Sequence, residues 1–331
     1  MSATPHSDTA RPVVVLLTRD GVEPPGNLSA IEEIADVRIA TAETLGAALP
    51  GADVLLVWDI FSGALEPVWG AADALRWVHV AAAGVDKILF DELRDSPVLL
   101  TNARGVFDGP IAEYVLACVL AHDKLLHETE ALQRSGEWRW RETTRVAGRR
   151  ALVVGTGGIG RAIARLLRAV GLEVRGAGRT PRSGDPDFGE VVDSARLAEH
   201  VGDVDHLVMV APLTEATRGL LREGEIAALP GGAHVINVGR GGLVDQQALT
   251  AAIASGHVTA HLDVLETEPL PSGDPLWSLP GAHVSPHMSG DVTGWRDTLA
   301  AQFLDHLRGY AAGRTPGPAV DKSGGFVPGS R

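Results

Sequence analysis

Apolar residues along the chain fall into short unbroken runs separated by stretches with helical spacing. Five runs come first: "VVVLL" from Val13, "VRIA" from Val37, "VLLVW" from Val54, "LRWVHV" from Leu75 and "VLLT" from Val98. A second series opens with "ALVVG" from Ala151 and continues through "LEVRGA", "HLVMVA", "HVINV", "VTAHLDV" and "HVSP". Runs that are apolar throughout suit parallel strands buried on both faces. Their alternation with helical patterns is the mark of βαβ units. Between the series, "GPIAEYVLACVLAHDKLLHE" (residues 109–128) predicts one long helix. The last helical pattern, residues 294–312, follows the final strand and is placed to return to the first domain, which makes that domain discontinuous.

The second series begins at a tight turn. Residues 153–160 read "VVGTGGIG", a Gly155-x-Gly157-x-x-Gly160 motif between a strand and the amphipathic pattern "IGRAIARLLRAVG". In such a motif the first glycine permits the turn, the second admits a pyrophosphate close to the backbone, and the third lets helix pack on strand. The helix, starting near Gly158, aims its first amides and its dipole at the phosphates. In an NAD site an acid about 20 residues further on takes the ribose 2′-hydroxyl. Here the chain offers Gly178, then Arg179, Thr180 and Arg182. An acid would repel the 2′-phosphate of NADP, whereas Arg179 can pair with it through two N–H groups. Thr180 can add a hydroxyl donor and Arg182 a second charge. The loop predicts NADP(H) as preferred cofactor with NAD(H) possible; the alternative is an exposed basic loop without a ligand.

Length and charge narrow the classes. At about 150 residues per domain, 331 residues suggest two domains. A formal net charge of −13 argues against a nucleic-acid binder without forbidding a local basic pocket. The single cysteine, Cys118, allows no disulfide within the chain, which fits a reducing, cytoplasmic setting. Its apolar neighbours "YVLACVLA" favour a structural thiol over a nucleophile. The first twelve residues are polar and lack an apolar signal core, and the run from Val13 is too short to span a bilayer. No membrane association is expected. The Gly- and Pro-rich end, from residue 313, reads as an irregular tail.

Three stretches put reactive residue types just past strands. Arg240 lies in "VINVGRGGLVD", Asp263 and Glu268 in "HLDVLETEPL", and His287 in "HVSPHMSG". Open α/β sheets bind ligands at this carboxyl edge. Singly, each has an ordinary explanation: a loop histidine, a surface-turn arginine, a solvated glutamate, a strand-end cap at Asp263. Together, each at its expected strand end, Arg240, Glu268 and His287 read as a catalytic set. His79, His122 and His261 read as satisfying local polar needs. No cluster has metal-ligand spacing, so no metal is expected.

In this order the motifs resemble the signatures of the D-isomer-specific 2-hydroxyacid dehydrogenases: the glycine motif, Arg-Gly after the Asn-bearing strand, Asp-Val-x-x-x-Glu-Pro and Pro-His. The resemblance covers residues 75–290. "LRWVHVAAAGVDKI" resembles that family's substrate-carboxylate loop and "NARGVFDGPIAEYVLA" the segment leading into its interdomain helix. "GRTPR" resembles the cofactor loop of its NADP-using glyoxylate/hydroxypyruvate reductases. The resemblance implies an α/β fold of two doubly wound parallel-sheet domains. A Rossmann cofactor domain (residues 103–288) would be inserted in a discontinuous flavodoxin-like substrate domain (residues 1–102 and 289–331), with the active site in the cleft.

It also implies roles. His287 would be the general acid, Glu268 would accept a hydrogen bond from its other ring nitrogen, and Arg240 would hold the substrate carboxylate and polarise the carbonyl. Amides around Ala83 and Gly84 would complete the clamp. Cofactor contacts carry over to Gly155, Gly157, Gly158, Ile159, Gly160, Arg179, Thr180, Arg182, Ala211, Pro212, Thr217, Val238, Gly239, Arg240, Asp263, His287 and Gly290, with Asp263 orienting the carboxamide. A homodimer is implied, with Trp138 or Trp140 near the partner's site; packing aromatics are an equal alternative. The expected reaction is reduction of a small 2-oxo acid to the D-2-hydroxy acid. Two alternatives stand: a biosynthetic dehydrogenase for a larger acid, since "VAAAGVD" is small and apolar, and a nucleotide-sensing protein on the same fold.

Overall fold

The structure, a computed structural model, describes residues 11–325; residues 1–10 and 326–331, the ends of the polar N-terminal stretch and of the Gly- and Pro-rich tail, lie outside it. The chain forms two compact units, one running to Val106 and resuming at Thr293, the other spanning Phe107–Val292. These junctions fall four residues beyond the expected 102/103 and 288/289.

The first unit carries five parallel strands: β1 (Val13–Leu17), β2 (Asp36–Ala40), β3 (Val54–Val57), β4 (Trp77–Val80) and β5 (Leu99–Asn102). Their order is β2-β1-β3-β4-β5, the flavodoxin-like doubly wound order. The inner strands β3 and β4 are buried at every position, as their unbroken apolar runs require. Edge strand β2 is exposed along much of its length. The helix Trp295–Ala311 belongs to this unit. Its Phe303 stacks on Trp77 with ring centroids 5.4 Å apart. Asn27 Nδ2 donates to the Ala300 carbonyl at 2.8 Å, and Gln302 Nε2 to the Arg104 carbonyl at 2.9 Å.

The second unit carries β6 (Arg150–Val154), β7 (Glu173–Gly178), β8 (Arg182–Asp185), β9 (Gly189–Asp193), β10 (His206–Met209), β11 (Ala233–Asn237), β12 (Val258–Leu262) and β13 (Ala282–Val284). They form one sheet in the order β13-β12-β11-β10-β6-β7-β9-β8. All neighbours are parallel except β8 and β9. The winding reverses between β6 and β10, the point at which such sheets form a ligand crevice.

Two features differ from the pattern. Strands β8 and β9 are absent from the apolar runs, because a polar edge hairpin needs little burial: Arg182–Asp185 reads "RSGD". The single helix expected over residues 109–128 is two, Asp108–Asp123 and Leu126–Ser135, with Leu125 between them in the left-handed region at φ 52°. The Asp123 carbonyl, which a continuous helix would pair with the residue 127 amide, accepts instead from the Thr144 amide at 2.9 Å. Among the described residues, no helix is long and apolar enough to cross a membrane.

His79 on β4 is fully buried, with Nδ1 2.8 Å from the Thr101 hydroxyl, which also accepts from Trp77 Nε1 at 2.8 Å. Burial, reinforced by nearby His306, pushes its pKa down to about 3. The folded state therefore keeps His79 neutral while the unfolded chain takes up a proton below pH about 6.5. Stability tied to His79 is complete above that pH and is lost on acidification, by roughly 1.4 kcal/mol per pH unit until the folded value is reached. His79→Asn should flatten the unfolding free energy between pH 6.5 and 4 by about that slope in denaturant titrations. Parallel curves for variant and wild type would refute the assignment.

Candidate active site

The adjacent parallel strands β11, β12 and β13 end at one edge of the second unit's sheet, and three of the four expected polar residues stand just beyond them. Asn237, the last residue of β11, is buried and shapes the turn carrying Arg240. Its Oδ1 accepts from the Gly239 amide at 3.1 Å and its Nδ2 donates to the Arg240 carbonyl at 3.0 Å. The Arg240 side chain is half-buried and donates from Nη1 to the Gly239 carbonyl at 2.8 Å. The next residue, Gly241, lies against the loop after β12. A Cβ there would sit 1.9 Å from the Leu265 carbonyl carbon and 2.4 Å from the Glu266 nitrogen. Only glycine lets the two loops approach this closely.

That loop delivers Glu268. One carboxylate oxygen accepts from the Leu265 amide at 2.9 Å and the other lies 2.8 Å from His287 Nδ1. Burial raises the Glu268 pKa, but the hydrogen bonds from His287 and Leu265 and the charges of His287 and Arg240 outweigh it, so the net value falls below the usual range. Glu268 is thus a carboxylate at neutral pH, placed to accept a hydrogen bond from His287 Nδ1. Both side chains remain about one-third exposed.

His287 adopts φ 54°, a left-handed conformation uncommon outside glycine. Asp263, 1% exposed at the end of β12, holds it there. The Asp263 carbonyl accepts from the His287 amide at 2.9 Å. One carboxylate oxygen accepts from the Ser285 hydroxyl at 2.6 Å and the Met288 amide at 2.9 Å, and the other from the Ser289 amide at 2.9 Å. Tyr114 in turn lies 2.6 Å from Ser285 Oγ. The strand-end cap that rivalled the carboxamide contact in the sequence is therefore present, and any nicotinamide contact would share the carboxylate with these three donors. Tyr114 and Ser285 were not singled out in the sequence, and Asn237 and Gly241 entered it only through the Arg-Gly motif after the Asn-bearing strand, without a role.

The glycine motif builds the other half of the site. Gly155, just after β6, has φ 122°, and a Cβ there would lie 2.7 Å from the Ala211 amide nitrogen after β10. A Cβ at Gly160 would lie 1.9 Å from the Gly155 carbonyl oxygen, so the helix Gly158–Ala169 packs directly on the turn. At Gly157 a Cβ would meet no protein atom within 4 Å. Internal packing thus demands the first and third glycines, while the second borders open space at a helix N-terminus, as a phosphate cradle requires. Ile159 follows in the first turn, and Gly158 lies beside Asp108, whose carboxylate would be 2.6 Å from an added Cβ. The loop after β10, containing Ala211 and Pro212, is closed by Thr217, whose hydroxyl donates to the Pro212 carbonyl at 2.6 Å. Val238 is buried, its amide bonded to the Met209 carbonyl at 3.1 Å. Gly290 packs under Phe107, where a Cβ would be 2.7 Å from the ring.

At the ribose end, Gly178 closes β7, and Arg179 and Thr180 are exposed beyond it. Arg182 is engaged differently from its expected role as a second phosphate charge. Its guanidinium pairs with buried Asp185 at 2.7 and 2.9 Å, sharing that carboxylate with Arg161. Burial opposes ionisation of Asp185, but the two arginines and the Asp187 and Phe188 amides overcome it and hold the carboxyl well below its ordinary range. Ala83 and Gly84 lie in the first unit, in the loop after β4, which Asn102 Nδ2 pins through the Ala83 carbonyl at 2.5 Å. Burial pushes the Cys118 thiol up to about 12, leaving it no nucleophilic character at neutral pH.

Residues 116–289 match the model of the D-isomer specific 2-hydroxyacid dehydrogenase family, NAD binding domain. The chain is similar to a D-isomer specific 2-hydroxyacid dehydrogenase from Xanthobacter autotrophicus, solved with NADPH and MES: 33% identity, 96% of this chain and all of that one covered, TM-score 0.80. It is also similar to an NADPH-dependent glyoxylate/hydroxypyruvate reductase from Sinorhizobium meliloti, solved with NADP and sulfate: 27% identity, 96% and 100% covered, TM-score 0.81. A D-3-phosphoglycerate dehydrogenase of Mycobacterium bovis is 30% identical over 310 residues, 92% of this chain, but the chain spans only 58% of that relative. With its sheet order, glycine cradle and carboxyl-edge residues, the chain belongs to the D-isomer-specific 2-hydroxyacid dehydrogenase family and is an oxidoreductase of that family.

Proposed function

We propose that the protein reduces a small 2-oxo acid of the glyoxylate or hydroxypyruvate type to its D-2-hydroxy acid, with NADPH preferred and NADH possible. The observation that carries this reading is the His287–Glu268 pair at 2.8 Å, with Arg240 close enough for its charge to act on Glu268. A reduced nicotinamide, when bound, supplies the hydride that the C2 carbonyl carbon accepts. His287 supplies the proton to the keto oxygen, and Glu268 orients the imidazole for that transfer through Nδ1. Arg240 holds the substrate carboxylate and stabilises charge growing on the oxygen. Gly155, Gly157, Gly158, Ile159 and Gly160 would hold the pyrophosphate, and Arg179 and Thr180 the 2′-phosphate.

The Mycobacterium bovis relative supports a second reading, a dehydrogenase for a larger or phosphorylated 2-hydroxy acid. Reductase assays across glyoxylate, hydroxypyruvate and bulkier 2-oxo acids, with 3-phosphoglycerate oxidation alongside, separate the two. A protein that turns over none of them with either cofactor would instead be a nucleotide sensor. Trp138 and Trp140, 102% and 81% exposed, support a dimer arm, and with Cys118 as sole cysteine we place a homodimer in the cytoplasm.

His287→Ala should lower kcat for reduction by about 10²-fold or more. Glu268→Gln removes the charge that favours the protonated imidazole, so reduction should begin to fail at a lower pH than in wild type. Near-wild-type kcat in folded His287→Ala, or an unchanged pH profile in Glu268→Gln with chemistry rate-limiting, would reject the pair.

Arg240→Lys should not restore the activity lost in Arg240→Ala, because the planar fork is missing. Steady-state kcat/KM for the three proteins decides this; full activity in the Lys variant would mean that a point charge suffices.

Wild type should prefer NADPH over NADH by roughly tenfold to a thousandfold in kcat/KM, since charge-assisted hydrogen bonds contribute about 1.5–3 kcal/mol each and exposure weakens them. Arg179→Ala should remove most of that preference. Arg182→Ala should also lower Tm, because it leaves Asp185 to Arg161 alone. Gly178→Asp in the Arg179→Ala background should favour NADH, once Thr156, 3.1 Å from the new Cβ, gives way slightly. Undiminished NADPH use by Arg179→Ala would leave "GRTPR" as a basic loop without a ligand.

A further inference from the structure

Four adjacent strands of the second unit carry histidines on one face of the sheet: His206 on β10, His234 on β11, His261 on β12 and His283 on β13. His206 pairs in register with His234, and His261 with His283. His234 is in register with Thr259, two residues before His261 and so on the same face. The helices Asp108–Asp123 and Leu126–Ser135 add His122 and His127. His122 stacks on His234 with centroids 4.4 Å apart, and His127 on His283 at 3.7 Å. None of these six side chains belongs to the proposed chemistry, and their separation in sequence hid them from any spacing argument.

We propose that His127, His261 and His283 form a binding site for a borderline transition-metal ion, Zn²⁺ being the best suited. Their ligating nitrogens lie within 4.8 Å of one another. Three imidazoles with water completing a tetrahedron are an established donor set for this ion. His261 Nε2 lies 2.9 Å from His127 Nε2, a separation of two ring nitrogens that a shared ion can replace. The rest of the ladder sets the tautomer this needs. With the His261 Nε2 lone pair on the metal, Nδ1–H donates to His234 Nε2 at 2.7 Å. His234 Nδ1–H then donates to His206 Nδ1 at 3.2 Å, and the remaining His206 Nε2–H faces Asp123 Oδ2 at 3.4 Å. Every nitrogen in this chain has one consistent role, and it ends on a buried carboxylate, the outer arrangement that orients a metal-bound histidine.

The stacked rings of His127 and His283 are 19° from parallel, so one of these two partly exposed side chains turns to bring its nitrogen onto the ion. The bound ion would tie the helix Leu126–Ser135 to β12 and to edge strand β13. This inference is independent of the substrate and cofactor proposed above.

The test uses full-length protein without an affinity tag, stripped with chelator and titrated with Co²⁺, then Zn²⁺. The expected result is one Co²⁺ per chain with the intense visible bands of a tetrahedral site, displaced by one equivalent of Zn²⁺. Zn²⁺ should raise Tm by about 5 °C at saturation. His127→Ala and His283→Ala should each weaken binding by about tenfold or more, and His206→Gln by about tenfold through the ladder. His257→Ala, outside the cluster, should bind as wild type does. Absence of stoichiometric binding would overturn the proposal. So would binding that survives the double variant of His127 and His283, or that is lost only in His287→Ala, which would move the ion to the catalytic edge.

Discussion

The candidate active-site edge depends on one buried carboxylate. Asp263 sits at the end of β12 with almost no solvent exposure and accepts three hydrogen bonds from residues 285–289. A buried carboxyl group in such a place is tolerable because three donors satisfy it. In return it fixes the loop after β13, including the left-handed His287 that the chain would not adopt unaided. The proposed proton donor is therefore held by backbone, and Glu268 has only to complete its orientation. Strain and precision arise from the same contact.

Close backbone approach does the corresponding work elsewhere. Gly241 admits the Leu265–Glu266 peptide, and without that contact Glu268 would stand away from Arg240 and His287. Gly155 and Gly160 bring the β6 turn against the loop after β10 and against its own helix, which places that helix at the point where the winding reverses. Electrostatics follows the same logic of local exception. A chain of net charge −13 gathers Arg161, Arg165 and Arg182 around Asp185 and Asp187, so the basic character near the ribose end is scaffolded by acids.

Much of this was legible in the residues. Unbroken apolar runs located the inner strands, and the strand-turn-helix setting of Gly155, Gly157 and Gly160 located the nucleotide-binding turn. Arg240, Glu268 and His287 could be placed at one edge because parallel strands end together. Less was legible wherever a side chain answered to a distant partner. The break at Leu125 follows from the Thr144 amide taking the Asp123 carbonyl, a contact no local propensity encodes. Arg182 looked available for a phosphate because its partner Asp185 lies on the same polar hairpin, which had no apolar signature. The six clustered histidines lie between residues 122 and 283, and only the register of β10 to β13 unites them.

The helix Asp108–Asp123 explains why the two polar systems coexist. Tyr114, Cys118 and His122 are four residues apart and so share one face. Tyr114 reaches Ser285 and, through it, Asp263, while His122 reaches Thr259 at 3.1 Å and stacks on His234. The layer between sheet and helix is thus polar at two levels, one at the candidate active site and one histidine-bearing. Buried polar layers stabilise only when complete. The Tyr114–Ser285–Asp263 level is complete, with every contact between 2.6 and 2.9 Å. The other level ends with His206 Nε2 and both Asp123 carboxylate oxygens lacking a hydrogen bond, with His206 Nε2 3.4 Å from one oxygen and the Arg149 guanidinium 3.7 Å from the other. Rigidity is therefore concentrated beside His287, the proposed proton donor, for which a misplacement of about 1 Å would cost rate.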